Sequence, residues 1–398
     1  MTFKKIVGKI HLWLGLASGL VVFIVAITGC LIAFEDEIKS ITRSFRSITP
    51  PDAEQSMLSP TQLSAIAKTA LKTSDEPKGY VYNESDKTTS VWFWGFEPEH
   101  FYTVHVNPYN GNIVNITDEE ADFFHIMIHG HYYLWLPPNI GQPVVAYGTL
   151  IFALMLISGL ILWWPKNKKA RKQRFTIKWD AKWRRLNYDL HNVMGFYILS
   201  VGLVLALTGM VMGMQWFANT VHIAMGGDGD GVYVQPPSDT TAIVQMEEQQ
   251  TGIDQLWTKL LPQKPEDGIL YIGTPQDKEG AYYTYINHDA ESFHQVDYKH
   301  YDQYTLEPLD TTGPYEGKYE DADLADTVLR MNYDIHRGAI LGLTGKIIAF
   351  IASLIIASMP VTGVMIWWGR RKKSRKSSHK KGLKKAIKKE EEELVASK

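Results

Sequence analysis

The chain has 398 residues, 45% of them hydrophobic, a formal net charge of −2 and a single cysteine, Cys30. That length allows more than one domain. One cysteine excludes disulfides within the chain and any metal or iron–sulfur site built from several thiolates.

In chain order, residues 1–34 hold a basic start (Lys4, Lys5, Lys9) and an apolar run that begins at His11, HLWLGLASGLVVFIVAITG. About 20 apolar residues cross a hydrocarbon core roughly 30 Å thick, so this run predicts a membrane helix. Residues 35–142 predict an outer α+β domain with a helix over 59–72, strands around 78–83, 90–96 and 101–106, and a turn at Asn107-Pro108-Tyr109-Asn110-Gly111. A second span, 143–165, ends on Trp163-Trp164, and a loop over 166–189 carries Lys166, Lys168, Lys169, Arg171, Lys172, Arg174, Lys178, Lys182, Arg184 and Arg185. The third span, 190–217, opens on His191. Residues 218–342 predict a second outer domain with a helix near 250–261 and strands at 268–273, 281–287 and 293–299. Its Gly226-Gly227-Asp228-Gly229-Asp230-Gly231 run lacks the lysine of a phosphate loop and reads as a flexible connection. The fourth span, 343–368, ends on Trp367-Trp368, and residues 369–398 form a basic tail. Paired tryptophans suit a membrane surface, and the three basic segments mark the cytoplasmic side. Both termini are therefore expected inside and the two acid-rich outer domains on the opposite face.

The two halves repeat. From His11 to Gly29 and from His191 to Gly209 the separation is 18 residues (29−11 and 209−191), with glycines at Gly15 and Gly195 and closing pairs Thr28-Gly29 and Thr208-Gly209. The other two spans close alike, on Ser158-Gly159 and Thr362-Gly363. Each half enters, leaves and re-enters the membrane in the same sense, which predicts a parallel repeat and puts equivalent histidines at equal depth. Ile27-Thr28-Gly29-Cys30 resembles a lipoprotein cleavage box, but the repeat already accounts for Thr28-Gly29, so the first span is expected to be retained.

Ionisable residues at membrane helices are functional-site candidates by default. His11 and His191 form one candidate pair. His129 and His336, which precede the second and fourth spans, form another, with His125, His131 and His222 as alternatives for the outer positions. Haem suits two pairs better than a bare ion does: imidazole is a common axial ligand, whereas zinc takes three or four ligands. Gly15 and Gly195, one turn from the histidines on the same face, would leave room for a flat macrocycle. The absence of Cys-x-x-Cys-His points to haem b, about two per chain.

The His-plus-Gly start of the first span, Tyr188-Asp189-Leu190-His191-Asn192-x-x-Gly195, Ile335-His336-Arg337-Gly338 and the Thr-Gly or Ser-Gly exits resemble the PepSY-associated transmembrane helix family over nearly the whole chain. Val106-Asn107-Pro108-x-x-Gly111 likewise resembles a PepSY unit. The resemblance implies four transmembrane helices with two extracytoplasmic α+β PepSY-like domains, a bacterial inner-membrane location, two b-type haems and reduction of ferric siderophores or other Fe(III) chelates. No G-x-G-x-x-G fold is present for a nicotinamide or flavin, so electrons are expected from a quinol or a cytoplasmic flavin reductase. No nucleic-acid partner is expected. The competing readings are a membrane-anchored binding or regulatory protein without redox activity, and a metal transporter using His125, His129 and His131.

Overall fold

The computed structural model describes residues 2–396 apart from 51–54, 97, 98, 166, 168–170, 172, 230, 232 and 242–251; of Phe96 and of the residues after Arg371 it describes the backbone alone. Lys166, Lys168, Lys169 and Lys172 of the basic loop and Asp230 of the glycine-rich run lie outside the described residues.

Three helices are long and apolar enough to cross a membrane, Phe3–Ile32 (α1), Pro138–Trp163 (α5) and Ala339–Arg371, the last continuing as the helix Gly342–Ala396 (α11). The expected third span is instead a bent pair, Trp183–Tyr197 (α6) and Leu199–Gly213 (α7), meeting at 64°. A π-helical turn over Leu190–Met194 lies within α6. Such turns mark functional sites and helix kinks, and this one contains His191. If the pair counts as one span, there are four.

The chain divides into two compact units, each assembled from separated stretches. The first comprises Met1–Ile27, Tyr147–Ala206 and Ile351–Lys398. Its apolar core joins Val22 and Ala26 of α1, Leu156 of α5, Ile198 at the bend, and Ile356 and Ala357 of α11. The ends of α1 and α5 meet where the Lys4 ammonium donates to the Trp164 carbonyl at 2.9 Å, so these two helices run antiparallel.

The second unit comprises Thr28–Ala146 and Leu207–Phe350. Four strands, β1 (Gly79–Tyr82), β2 (Thr89–Phe96), β3 (Glu99–Val106) and β4 (Ile113–Asp118), come from the first outer stretch. Four more, β5 (Ile269–Gly273), β6 (Ala281–Asn287), β7 (Val296–Asp302) and β8 (Pro308–Leu309), come from the second. The sequence suggests two small domains; the strands form one antiparallel sheet in the order β4-β3-β2-β1-β5-β6-β7-β8. The join is β1 with β5, Tyr80 opposite Ile272. Left apart, β1 and β5 would each be an edge with unpaired backbone groups; their pairing removes both edges.

Two helices, Pro60–Leu71 (α3) and Gly252–Leu260 (α9), share one core against the sheet, with Leu63 and Ala67 from α3, Leu256 and Leu260 from α9, and Tyr82, Phe93, Val104 and Leu270 beneath them. Ser59 and Gln62 cap α3 reciprocally, which satisfies two otherwise unpaired N–H groups. The Asp254 carboxylate accepts from the Ser59 hydroxyl at 2.9 Å and from the Thr61 N–H at 3.0 Å, tying α9 to the start of α3. The unit also holds the short helices Glu35–Thr42 (α2), Phe123–Tyr133 (α4), Gln215–Ala224 (α8) and Leu324–Arg337 (α10).

Candidate functional site

Within the first unit, His11 on α1 and His191 in the π-helical turn line one cavity of about 470 Å³, inside the range of roughly 300–1,000 Å³ usual for cofactor pockets. The His11 Nδ1 lies 2.8 Å from the Ser158 hydroxyl on α5, and the His191 Nδ1 lies 2.8 Å from the Thr362 hydroxyl on α11. Each hydroxyl spends its own proton on a backbone carbonyl, Ser158 on Met155 at 3.0 Å and Thr362 on Ser358 at 2.9 Å. The oxygen must then accept from the imidazole. The bonding pattern therefore assigns the proton to Nδ1 and leaves Nε2 with a lone pair, the state in which histidine binds a metal.

The glycines after these hydroxyl residues lie beside the rings. A Cβ at Gly159 would stand 3.4 Å from the His11 Cε1, and one at Gly363 3.4 Å from the His191 Cε1. Gly15 and Gly195 also line the cavity, but a Cβ there would face Met155 at 2.9 Å and Met359 at 3.5 Å respectively. Gly159 and Gly363 thus lie against the rings, while Gly15 and Gly195 lie against methionines in the cavity wall.

The second unit repeats the pattern. The His336 Nδ1 on α10 lies 2.8 Å from the Thr208 hydroxyl on α7, and the His131 Nδ1 on α4 lies 3.2 Å from the Thr28 hydroxyl on α1. A Cβ at Gly29 would come within 3.2 Å of the His131 ring. The centres of the His131 and His336 rings are 6.2 Å apart. Two imidazoles on opposite sides of one metal stand roughly 6 Å apart, from two metal–nitrogen bonds of about 2 Å and the two ring half-widths. The spacing of His131 and His336 therefore fits an iron with two axial histidines, and His11 and His191 line one cavity of a size that would suit a cofactor.

The ring that meets His336 is that of His131, an alternative for the outer position, and not that of His129. Of the three histidines on α4, His129 and His131 are two residues apart, about 200° around the helix, and cannot share a face. His129 stacks on His125 at 6.4 Å and meets the edge of Tyr133 at 5.0 Å. The His125 Nε2 lies 3.7 Å from Glu120. The buried His222 accepts the Gly229 N–H at Nδ1 (3.2 Å) and therefore carries its proton at Nε2, 3.0 Å from Asp326. His222 forms with Asp323 and Asp326 a group of metal-binding type among the described residues, yet its Nδ1 is taken by Gly229 of the loop and its Nε2 by Asp326 of α10. The glycine-rich run is more than a connection, since its Gly229 closes over His222.

Ion pairs hold the helices that carry the outer histidines. Asp122 caps α4 by accepting the Phe124 N–H at 3.1 Å and pairs with Arg43. Arg337, next to His336, pairs with Asp36; burial opposes ionisation of that carboxyl, but Arg337, Lys346 and Lys39 together hold its pKa below the ordinary value. In the sheet, burial, with help from Arg46, Arg43 and Lys39, pushes the His105 pKa down to about 3.

Apolar helices long enough for a membrane, a separate antiparallel sheet and hydroxyl-anchored histidines define a multi-pass membrane protein of the PepSY-associated class. The family model described as PepSY-associated TM region matches residues 9–370, and the chain belongs to that family. No curated protein matches the sequence significantly.

Proposed function

We propose that the protein is an inner-membrane electron-transfer protein that binds two b-type haems and reduces Fe(III) chelates such as ferric siderophores on the outer face. The observation that carries this reading is the set of four imidazoles, in two pairs, each held through Nδ1 by a serine or threonine hydroxyl from another helix. His11 and His191 would hold one haem, and His131 and His336 the other. Bound haem supplies a one-electron Fe(III)/Fe(II) couple tuned by its axial ligands. The hydroxyls fix the tautomer and ring orientation, and Leu12, Leu16 and Phe152 give the inner cavity an apolar wall.

The chelate is the substrate: one electron converts its Fe(III) to Fe(II), which hard oxygen donors hold less tightly, and the metal is released. The basic segments favour cytoplasmic termini, and electrons would come from a membrane quinol or a cytoplasmic flavin reductase. Proteoliposomes whose protein has been reduced by dithionite, with the excess removed, test the reading. An Fe(III) chelate added outside should reoxidise the protein much faster than the metal-free chelator does under anaerobic conditions. Equal rates would remove iron as the acceptor.

A further inference from the structure

One face of the sheet packs the apolar core beneath α3 and α9, and the other is built of aromatic rings. Side chains alternate along a strand, so the register that puts Val91, Leu270, Ile272 and Ile286 into the core turns their neighbours the other way. That second face presents the partly buried rings of Trp92, Tyr271, Tyr283, Tyr285 and Tyr298. The Tyr271 ring lies down across β1 and β5, where a Cβ at Gly79 would come within 2.8 Å of it and one at Gly273 within 2.9 Å. It stacks on Tyr285 at 4.9 Å and meets Trp92 at 5.4 Å, while Tyr283 stacks on Tyr298 at 6.2 Å. Four strand spacings of about 4.8 Å separate β2 from β7, which makes a floor roughly 19 Å wide.

Among the described residues, the hydroxyls of Tyr271, Tyr283, Tyr285 and Tyr298 have no hydrogen-bond partner. Burial keeps these phenols protonated, with the Tyr271 pKa pushed up to about 12, so each keeps a proton to donate. The charged groups around β7 are spent within the protein. Glu316 pairs with Lys299 at 2.7 Å and with His300 at 3.2 Å, and Arg330 donates to the Val296 carbonyl at 3.2 Å. The helices that carry the outer histidines border the floor. Phe101, beside Trp92 on the same face, meets His125 of α4 at 5.8 Å, and Arg330 of α10 stands 5.4 Å over the Tyr298 ring.

Resting on the reading of the protein as an Fe(III)-chelate reductase, we propose that this aromatic floor docks uncharged ferric chelates that carry aromatic rings, beside the helices that hold His131 and His336. Flat rings call for a ring to stack on them, and four unspent phenol donors call for acceptor oxygens. An aryl hydroxamate complex of Fe(III) has both, with rings at its rim and acceptor oxygens around the metal. The charges nearby are already engaged, so an uncharged complex leaves none of them to be displaced.

Gallium(III) has the charge and nearly the size of Fe(III) but takes no electron, so it separates docking from reduction. Full-length protein in detergent can be dialysed to equilibrium against Ga(III) tris(benzohydroxamate) or Ga(III) tris(acetohydroxamate), with protein-free micelles as the blank. Both complexes are uncharged and share one donor set; only the first carries aromatic rings. The wild type should bind the aryl complex about tenfold more tightly. Tyr283→Leu combined with Tyr285→Leu should bind the two about equally while melting as cooperatively as the parent. Should that variant fail to fold, Tyr283→Phe combined with Tyr285→Phe takes its place. It keeps the rings and loses two donors, so the aryl preference should persist while both complexes bind several-fold more weakly. Equal binding of the two complexes by the wild type, a parental preference in the leucine variant, or parental affinities in the phenylalanine variant overturns the proposal. Binding of neither complex also overturns it and leaves the floor to another occupant, such as a polypeptide. The reductase reading is decided separately, by whether the Fe(III) complexes reoxidise the reduced protein.

Discussion

The two histidine pairs share one anchoring device and differ in what surrounds it. His11 and His191 face a cavity of about 470 Å³ walled by leucine, glycine and methionine, with Arg174 and Arg370 also in its lining. His131 and His336 face each other at 6.2 Å beside Tyr132 and among ion pairs that tie α2 to α4 and α10. In the haem reading proposed above, the anchor would select the ligand atom, and the surroundings would set charge and solvent access, the levers that tune an iron centre. One motif, a hydroxyl residue followed by glycine, thus serves two sites of different character.

Replacing a ligand should break the comparison most sharply. His11→Ala and His191→Ala should each remove the same half of the bound haem, and His131→Ala and His336→Ala the other half, as read from reduced-minus-oxidised spectra. His129→Ala should keep both. Loss of haem from His129→Ala with full retention in His131→Ala would reverse the outer assignment.

The anchors come next. Ser158→Ala and Thr362→Ala remove the acceptor that fixes the ring, and loss of such a partner lowers metal affinity or activity about 10–100-fold. Inner haem should dissociate faster by a factor of that order, with Thr362→Ser restoring retention and the outer haem unaffected. Equal dissociation rates in Thr362→Ala and Thr362→Ser would show that the hydroxyl does not position the ligand.

These anchors mark the limit of what the sequence makes legible. The repeat exposes His11, His191 and His336 because spacing is a one-dimensional property. It also displays the Ser-Gly and Thr-Gly exits, but Ser158 lies 147 residues from His11, and no local pattern says that they touch. His129 and His131 are near neighbours in sequence, and choosing between them requires knowing which face of α4 meets Thr28. The strands of the outer stretches follow from alternation, with β1 to β3 and β5 and β6 close to their expected bounds. Their union through β1 and β5 depends on which edges meet, a long-range fact.

Glycine changes should have a smaller and graded effect. Gly159→Leu crowds the His11 ring directly, whereas Gly15→Leu intrudes on Met155, a flexible side chain. Overpacking costs typically about 1–3 kcal/mol, so inner haem occupancy should fall more in Gly159→Leu than in Gly15→Leu. The opposite order, measured by haem-to-protein ratio, would mean that cavity width limits binding more than ring placement does.

The smallest effect concerns the sheet alone. His105 is buried, shares a hydrogen bond between Nδ1 and the Ser90 hydroxyl at 3.2 Å and has no partner at Nε2 among the described residues. Its pKa of about 3 in the folded state lies below the ordinary value of about 6.5, so between these limits the unfolded chain binds more protons than the folded one. Stability contributed by neutral His105 is complete above about pH 6.5 and falls as the pH drops towards 3. His105→Gln should flatten that part of the melting-temperature profile, followed by circular dichroism. An unchanged slope would assign the acid sensitivity to other groups.

The central claim is that the hydroxyl-anchored histidine pairs are haem ligands, and the most direct measurement is the haem content and absorption spectrum of the detergent-purified wild-type protein from haem-replete cells. The account predicts about two non-covalent b-type haems per chain, one per histidine pair, with the low-spin spectrum of two axial imidazoles. A colourless protein, or a high-spin spectrum from iron with an open axial position, would contradict it.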